Sequence, residues 1–388
     1  MRLPLLALAA ALAGCASAPP ATAPAAAGFV TTLGDDTLAV ERFTRTADGI
    51  DAVVALRAPR TTLTSYRLDL DADGGLTGYE ATARQPLTGE TLRRTTAEPV
   101  GDSLRLTRSE TMGETSTRTV AGADRPLPFI DMVHWPFELM VERAVAAGGP
   151  LDQPLFTERG TVGFTSDVEP DGTVIVRHPF RGPMTVQADA QGRLQMLDAG
   201  ATTRKLVVRR VADVDVEAMA RRFAERDAAG MSIGELSGRG ESFAEVGGAT
   251  VSVDYGQPRM RGREIWGALV PWGELWRTGA NQATHVETTR ALVLDPDGAA
   301  LAVPAGRYTL YSIPAPDGGV LIVNRQTGQG GTTYDESHDL GRVPLVRRSE
   351  PTPVEAFTID VEPVGSGTGE IVLRWDREAF AVPFAVAE

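Results

Sequence analysis

The chain has 388 residues and carries 51 acidic against 38 basic side chains, a formal net charge of −13 at pH 7. That balance argues against nucleic acid or anionic lipid headgroups as the main partner, because either calls for a basic face. A single cysteine excludes an internal disulfide, so folding rests on apolar burial, and the length suffices for two domains with separate cores.

Abundant Gly, Pro, Thr and Val, with few long helical periods, predicts a mainly β protein. Lys205 is the only lysine; every other base is arginine, a bias that reads as compositional although arginine favours planar, bidentate contacts. In chain order, residues 1–14 read as an export signal: Arg2 supplies positive charge, Leu3 to Leu12 a short apolar run, and Ala13 and Gly14 the small residues before Cys15. The string LAGC resembles a bacterial lipobox, with Cys15 as the acylated first residue of the mature chain. Cleavage there removes one arginine and no acid, leaving 37 bases, 51 acids and a net charge of −14. The apolar run is shorter than the roughly 20 residues of a spanning helix, which favours a lipid anchor. Each acyl methylene contributes about 0.8 kcal/mol, so several chains hold stably where one does not. Ala16 rather than aspartate after the cysteine, by resemblance to lipoprotein sorting signals, points to the outer membrane, with the domains in the periplasm or at the surface. Residues 15–28, rich in Ala, Pro, Ser and Thr, read as a flexible tether.

Residues 29–210 show alternating segments such as Ser65–Leu70, Ser103–Arg108, Thr173–Arg177 and Lys205–Val208, which predict an antiparallel β-sheet or barrel-like domain with one or two helices. One helix starts near Pro136, carries Phe137, Met140, Val141, Ala144 and Val145 at helical spacing, and stops at Gly148 and Gly149. A second starts near Asp213 or Asp215, either of which can cap it, and places Val216, Met219, Ala220 and Phe223 on one face. With the Gly-rich and Ser-rich stretch after it, this helix forms a connection over 211–240. From 241 to 388 the pattern Thr250–Tyr255, Ala283–Thr288, Arg307–Ile313, Val320–Asn324, Phe357–Glu362, Glu370–Trp375 and Phe380–Val386 predicts a β-sandwich.

Two motifs fail on their context. Asp69 to Gly74 followed by Glu80 satisfies a calcium-loop pattern, but the flanks are β-like rather than helical. Asp-Gly recurs at 48–49, 171–172, 297–298 and 317–318, which marks it as a hairpin device. Gly230-Met231-Ser232-Ile233-Gly234 matches a nucleophile elbow, but a helix precedes it where a strand is required. A third feature stands. WGALVPWGELWRTGAN, residues 266–281, sets three of the five tryptophans beside Arg277, Thr278 and Asn281. It reads either as an aromatic core plug or as a ligand groove, with Trp272, Trp276 and Thr278 among its residues, in which tryptophans stack on a sugar ring or planar group while Arg277 and Asn281 fix its polar edge. His285 and Glu287, two apart on the next strand, share one face; as a pair they suit acid-base chemistry but are too few for a metal.

The segment VDYGQPRMRGREIWGALVPWGELWRTGAN, with PAGRYTLYSIP, LIVNRQTGQ, YDESHDLGRVPL, VEAFTIDVEP and LRWDREAFAVPF, resembles the bacterial domain-of-unknown-function family 2911 over about 241–386. The resemblance implies an exported, often lipid-anchored protein and a β-rich domain without an established activity, with the family hallmark on Trp276, Arg277, Thr278, Gly279, Ala280 and Asn281. After Gln329 the family usually has an aromatic residue before a glycine, where this chain has Gly330-Gly331; a groove lined by that aromatic would be weaker here. The expectation is a lipid-anchored envelope protein whose second domain is a non-catalytic binding or scaffolding module. Its partners are the membrane, through the acylated Cys15, and an envelope glycan or peptide, with no nucleic acid, cofactor or metal. The competing reading is a periplasmic hydrolase acting on a carbohydrate or peptide, with His285, Glu287, Asp335 or His338 as acid-base groups.

Overall fold

The computed structural model describes residues 26–387 except Met112 and Asp213, so Cys15 and most of the expected tether lie outside the described residues. The first half contains β1 (Ala27–Leu33), β2 (Asp36–Thr46), β3 (Gly49–Leu56), β4 (Thr62–Leu70), β5 (Leu76–Arg84), β6 (Thr91–Val100), β7 (Ser103–Glu110) and β8 (Ser116–Ala121). After β9 (Leu127–Pro128) and helix α1 (Trp135–Ala147) come β10 (Leu151–Thr157), β11 (Gly160–Val168), β12 (Val174–His178), β13 (Gly182–Ala188), β14 (Leu194–Asp198) and β15 (Val207–Val211).

These strands form one sheet whose order follows from its hairpins. The chain starts at β1 in the middle, walks outward to β8, crosses to the opposite edge at β9, and walks back through β15, which closes on β1 with Phe29 opposite Arg210. The far edges then meet: the Thr161 hydroxyl donates to the Ala121 carbonyl at 2.9 Å, and Arg108 and Arg118 both reach Glu158. The result is barrel-like, and α1 fills its interior with Trp135, Phe137, Met140, Val141 and Ala144. Pro136 lies in the first turn of α1, where its missing N–H leaves no bond unmade. The carboxylate of Glu41, fully buried on β2, accepts the N–H groups of His134 and Trp135 at 2.9 to 3.0 Å and so caps the helix in place of a local side chain.

Helix α2 (Val216–Ala228) is capped by Asp215, whose carboxylate accepts the Ala218 N–H at 2.8 Å. Its Val216, Ala220 and Phe223 pack on Val40 and Ala55 and so cover β2 and β3. The chain beyond it behaves as a connection only to Leu236. The Ser232 hydroxyl lies 3.4 Å from the Pro59 carbonyl, and helix α2 rather than a strand leads into the serine.

The second domain comprises β16 (Ser237–Val246), β17 (Ala249–Pro258), β18 (Thr284–Thr288), β19 (Leu292–Leu294), β20 (Leu301–Val303), β21 (Gly306–Ala315), β22 (Gly318–Asn324), β23 (Asp339–Pro344), β24 (Val346–Pro363) and β25 (Thr368–Val386). A six-stranded sheet, β16-β17-β18-β21-β22-β23, packs on a four-stranded sheet, β20-β19-β25-β24, and both contribute to one core, which makes a β-sandwich. Two boundaries differ from the sequence expectation. Ser237 to Gly240 belong to β16, paired with Pro258 to Tyr255, rather than to a linker. Gly240 disguises the strand, and it is required because a Cβ there would come within 2.4 Å of the Tyr255 ring. The segments expected as two strands, 370–375 and 380–386, are one strand that bends at Asp376, where φ is +53°. All five Asp-Gly pairs fall at hairpins: β2-β3, β4-β5, β11-β12, β19-β20 and β21-β22. The calcium-like loop is therefore flanked by strands β4 and β5, and its Asp71 side chain accepts the N–H groups of Asp73 and Gly75.

Candidate functional site

The tryptophan-rich segment is a long loop between β17 and β18, anchored by its own aromatics. Trp266 stacks on Trp272 at 5.8 Å between centroids, Trp276 stacks on Trp375 at 6.0 Å, and Trp266 meets both Trp276 and Trp375 edge-on. The buried indole nitrogens are satisfied: Trp266 donates to the Trp375 carbonyl at 3.0 Å and Trp375 to the Glu355 carbonyl at 3.3 Å. This much is a core plug. Its far end is not. Trp276 exchanges two backbone hydrogen bonds with Ser312 of β21, which fixes the start of the hallmark Trp276 to Asn281.

Beyond that point the backbone turns through left-handed positions at Thr278, with φ of +51°, and Asn281, with φ of +62°. A β-branched residue there is an outlier. Thr278 is held by its hydroxyl, which donates to Ser312 Oγ at 2.9 Å, and by its carbonyl, which accepts from the Thr284 hydroxyl at 2.6 Å. Asn281 Nδ2 donates to the Ser237 carbonyl at 3.3 Å. The loop therefore presents Arg277 rigidly, with Nε donating to the Gly279 carbonyl at 3.2 Å.

Arg277 faces a cleft of about 450 Å³ between the two domains. The first domain contributes Arg181, Arg204 and Lys205; the second contributes Arg263, Glu274, Trp276, Arg277, Asn281 and Tyr334. Arg261 fixes the domains relative to one another by pairing with Asp36, while its carbonyl accepts the Asp35 N–H at 2.9 Å. Arg181 and Arg204 both pair with Asp131. Lys205 and Arg277 form no ion pair among the described residues. Burial lowers the Arg277 pKa and the neighbouring Arg204 charge lowers it further; burial likewise lowers that of Lys205, helped by the charges of Arg263 and Arg277. Lys205 also sits at a left-handed backbone position, φ +57°, in the loop between β14 and β15.

The cleft gathers Trp276, Arg277, Gly279, Ala280 and Asn281 of the hallmark but not Trp272, Thr278, His285 or Glu287. Trp272 lies between Trp266 and the Arg347 guanidinium, 5.5 Å from its centroid. Thr278 is fully buried behind the loop. His285 is buried on β18, where its Nε2 accepts the Gly328 N–H at 3.0 Å, and Glu287 on the same strand is exposed. Asp335 and His338 form an exposed pair, 3.2 Å apart, about a 3₁₀ turn that Asp335 caps. Gly331 lines the cleft; a Cβ there would lie 3.0 Å from Arg277 Cδ, so this position leaves room for the arginine stem. The basic residues of the first domain escaped sequence reading. The one available signal was the solitary lysine, Lys205.

His285 gives a pH dependence. Burial, then the charges of Arg307 and Arg239, lower its pKa from 6.5 to about 4. The folded state thus holds the imidazole neutral while the unfolded chain protonates near 6.5, so stability is full above pH 6.5 and falls as pH drops toward 4. Protonation of this one group is expected to remove roughly 3 kcal/mol. In His285→Gln, urea denaturation should show that much less loss between pH 7 and 4; an unchanged profile contradicts the assignment.

Residues 237–384 match the family model described as protein of unknown function (DUF2911), beginning at the first residue of β16. No curated protein matches the chain. A solved structure described as a beta-barrel-like protein of domain of unknown function DUF1849 from Brucella abortus is 13% identical, with a TM-score of 0.31, covering 50% of this chain and 98% of that one. The molecule is a barrel-like domain followed by a β-sandwich domain that matches the DUF2911 family model.

Proposed function

We propose that this is a lipid-anchored envelope protein, held by acylated Cys15, that binds an envelope glycan or peptide in the cleft between its two domains without catalysing a reaction. The observation that carries this reading is the convergence of Trp276, Arg277 and Asn281 of the family hallmark with cations of the other domain on one open cavity. General acid-base chemistry needs two groups that exchange protons near the working pH within reach of one substrate atom. Among the described residues lining the cleft there is one carboxylate, Glu274, and no histidine. Tyr334 is pushed up to about 12 by burial and by Asp339. The acid-base candidates of the hydrolase reading stand apart: His285 is enclosed, and Asp335 and His338 serve a surface turn.

Two measurements test this. Tryptophan fluorescence of the mature chain should change saturably with a soluble peptidoglycan digest, and chromatography of the digest should be unaltered after incubation; new products would favour the hydrolase. Full-length protein should partition into the detergent phase of Triton X-114 and Cys15→Ser into the aqueous phase. Equal partitioning of the two would contradict the anchor.

A further inference from the structure

We infer that the ligand of this cleft is an anionic saccharide, its oxyanion held between Lys205 and Arg277 and its ring against Trp276 and Tyr334. This rests on the reading of the cleft as a binding site and adds the chemistry of what enters it.

The argument begins with charge. In a chain of net charge −13, the cleft collects five cations and one carboxylate. Arg181 and Arg204 share Asp131, and Arg263, though without an ion pair among the described residues, gives its Nε to the Met260 carbonyl at 2.9 Å and a terminal nitrogen to the Arg259 carbonyl at 2.5 Å. Lys205 and Arg277 remain. The Lys205 ammonium makes no hydrogen bond among the described residues, and Arg277 uses only Nε, leaving both terminal nitrogens without a partner among those residues. Partly desolvated like charges repel one another and cost free energy unless an opposite charge lies between them. Where acids are within reach an arginine of this protein can collect several, as Arg374 does with Glu350, Asp360 and Glu362; Arg277 has none among the described residues.

Geometry agrees with charge. Both cations are carried by loops with left-handed backbone at or beside them, Lys205 at +57° and Thr278 at +51°, and the second loop is tied by buried hydroxyl bonds. Such strain persists only where surrounding structure enforces it, and it clusters at ligand clamps. A guanidinium with two free nitrogens matches the two oxygens of a carboxylate or phosphate, and an ammonium adds a point charge. The volume suits a small molecule rather than a polymer duplex, and half-buried Trp276 and Tyr334 beside the Asn281 amide offer a ring both apolar surface and polar edges. One ligand bridging Lys205 and Arg277 touches both domains.

The test is calorimetric titration of the mature chain with four probes: glucose 6-phosphate, glucuronate, glucose and inorganic phosphate. At least one charged sugar is expected to bind about tenfold or more tightly than glucose and than phosphate alone, and to weaken as salt rises. Preference for glucose 6-phosphate assigns a phosphate ligand and preference for glucuronate a carboxylate ligand. Lys205→Gln should weaken that binding about tenfold with an unchanged unfolding midpoint, since the side chain makes no internal bond, and Lys205→Arg should restore most of it. Arg277→Gln should weaken it as well, and that variant's circular dichroism separates lost binding from lost fold. Glucose binding as tightly as the charged sugars, inorganic phosphate binding as tightly as both, or Lys205→Gln binding like the wild type would overturn the anionic saccharide. If a neutral glycan or a peptide bound saturably while every charged sugar failed, this inference would fall and the proposed binding function would stand. Failure of every glycan and peptide would remove both.

Discussion

Trp375→Ala is expected to destabilise the second domain by roughly 3 to 5 kcal/mol, the cost of deleting a large aromatic from a closed core. Trp375 is 1% exposed, stacks on Trp276, meets Trp266 and Phe357, and accepts the Trp266 indole N–H on its carbonyl. Its removal therefore opens a cavity under the hallmark loop as well as in the sandwich. Two consequences follow together: a lower denaturation midpoint for the second domain, and weaker retention of Arg277 at the cleft, read as loss of ligand affinity under conditions where the variant is still folded. Trp375→Phe should recover part of the stability. A loss below about 1 kcal/mol in Trp375→Ala would mean the tryptophan cluster is not the support described.

Glu41→Ala is the second large effect, in the other domain. The carboxylate is buried inside the barrel-like sheet and accepts N–H groups of His134 and Trp135 at the start of α1. Removing it leaves buried donors unsatisfied and takes a negative charge from the positive end of the helix, each worth about 1 to 2 kcal/mol, for a total near 3 kcal/mol. Glu41→Gln keeps an acceptor and should cost less. Hydrogen exchange of α1 and the strands around it in urea, read in the otherwise unaltered chain, reports on this domain alone. Equal stability of Glu41→Ala and the wild type would contradict the capping role.

The architecture was legible to the extent that it is local. Alternation fixed most strands, the Asp-Gly pairs marked their hairpins, and Asp215 and Gly148 marked helix ends, because each signal acts over a few residues. The start of the second domain was misplaced because Gly238 and Gly240 imitate a linker, and only the approach of the Tyr255 ring explains the second of them. The long β25 was divided because its bend at Asp376 looks like a turn in one dimension. The cleft was half legible. Trp276, Arg277 and Asn281 lie within six residues of one another, whereas Arg181, Arg204 and Lys205 reach the same space only because β12 to β15 return to the middle of the first sheet. His285 and Glu287 share a face as strand spacing requires, yet spacing alone does not reveal that the loop at Gly328 encloses the imidazole.

Hydrogen exchange of the mature chain, with and without a peptidoglycan digest presenting carboxylate-bearing glycan and peptide, tests the shared cleft most directly. Slower exchange is expected together in residues 201–206 of the first domain and 276–281 of the second, with the sheet edges at β8 and β23 unchanged. Protection confined to one of those two loops, or located away from both, would contradict a ligand site built jointly by the two domains.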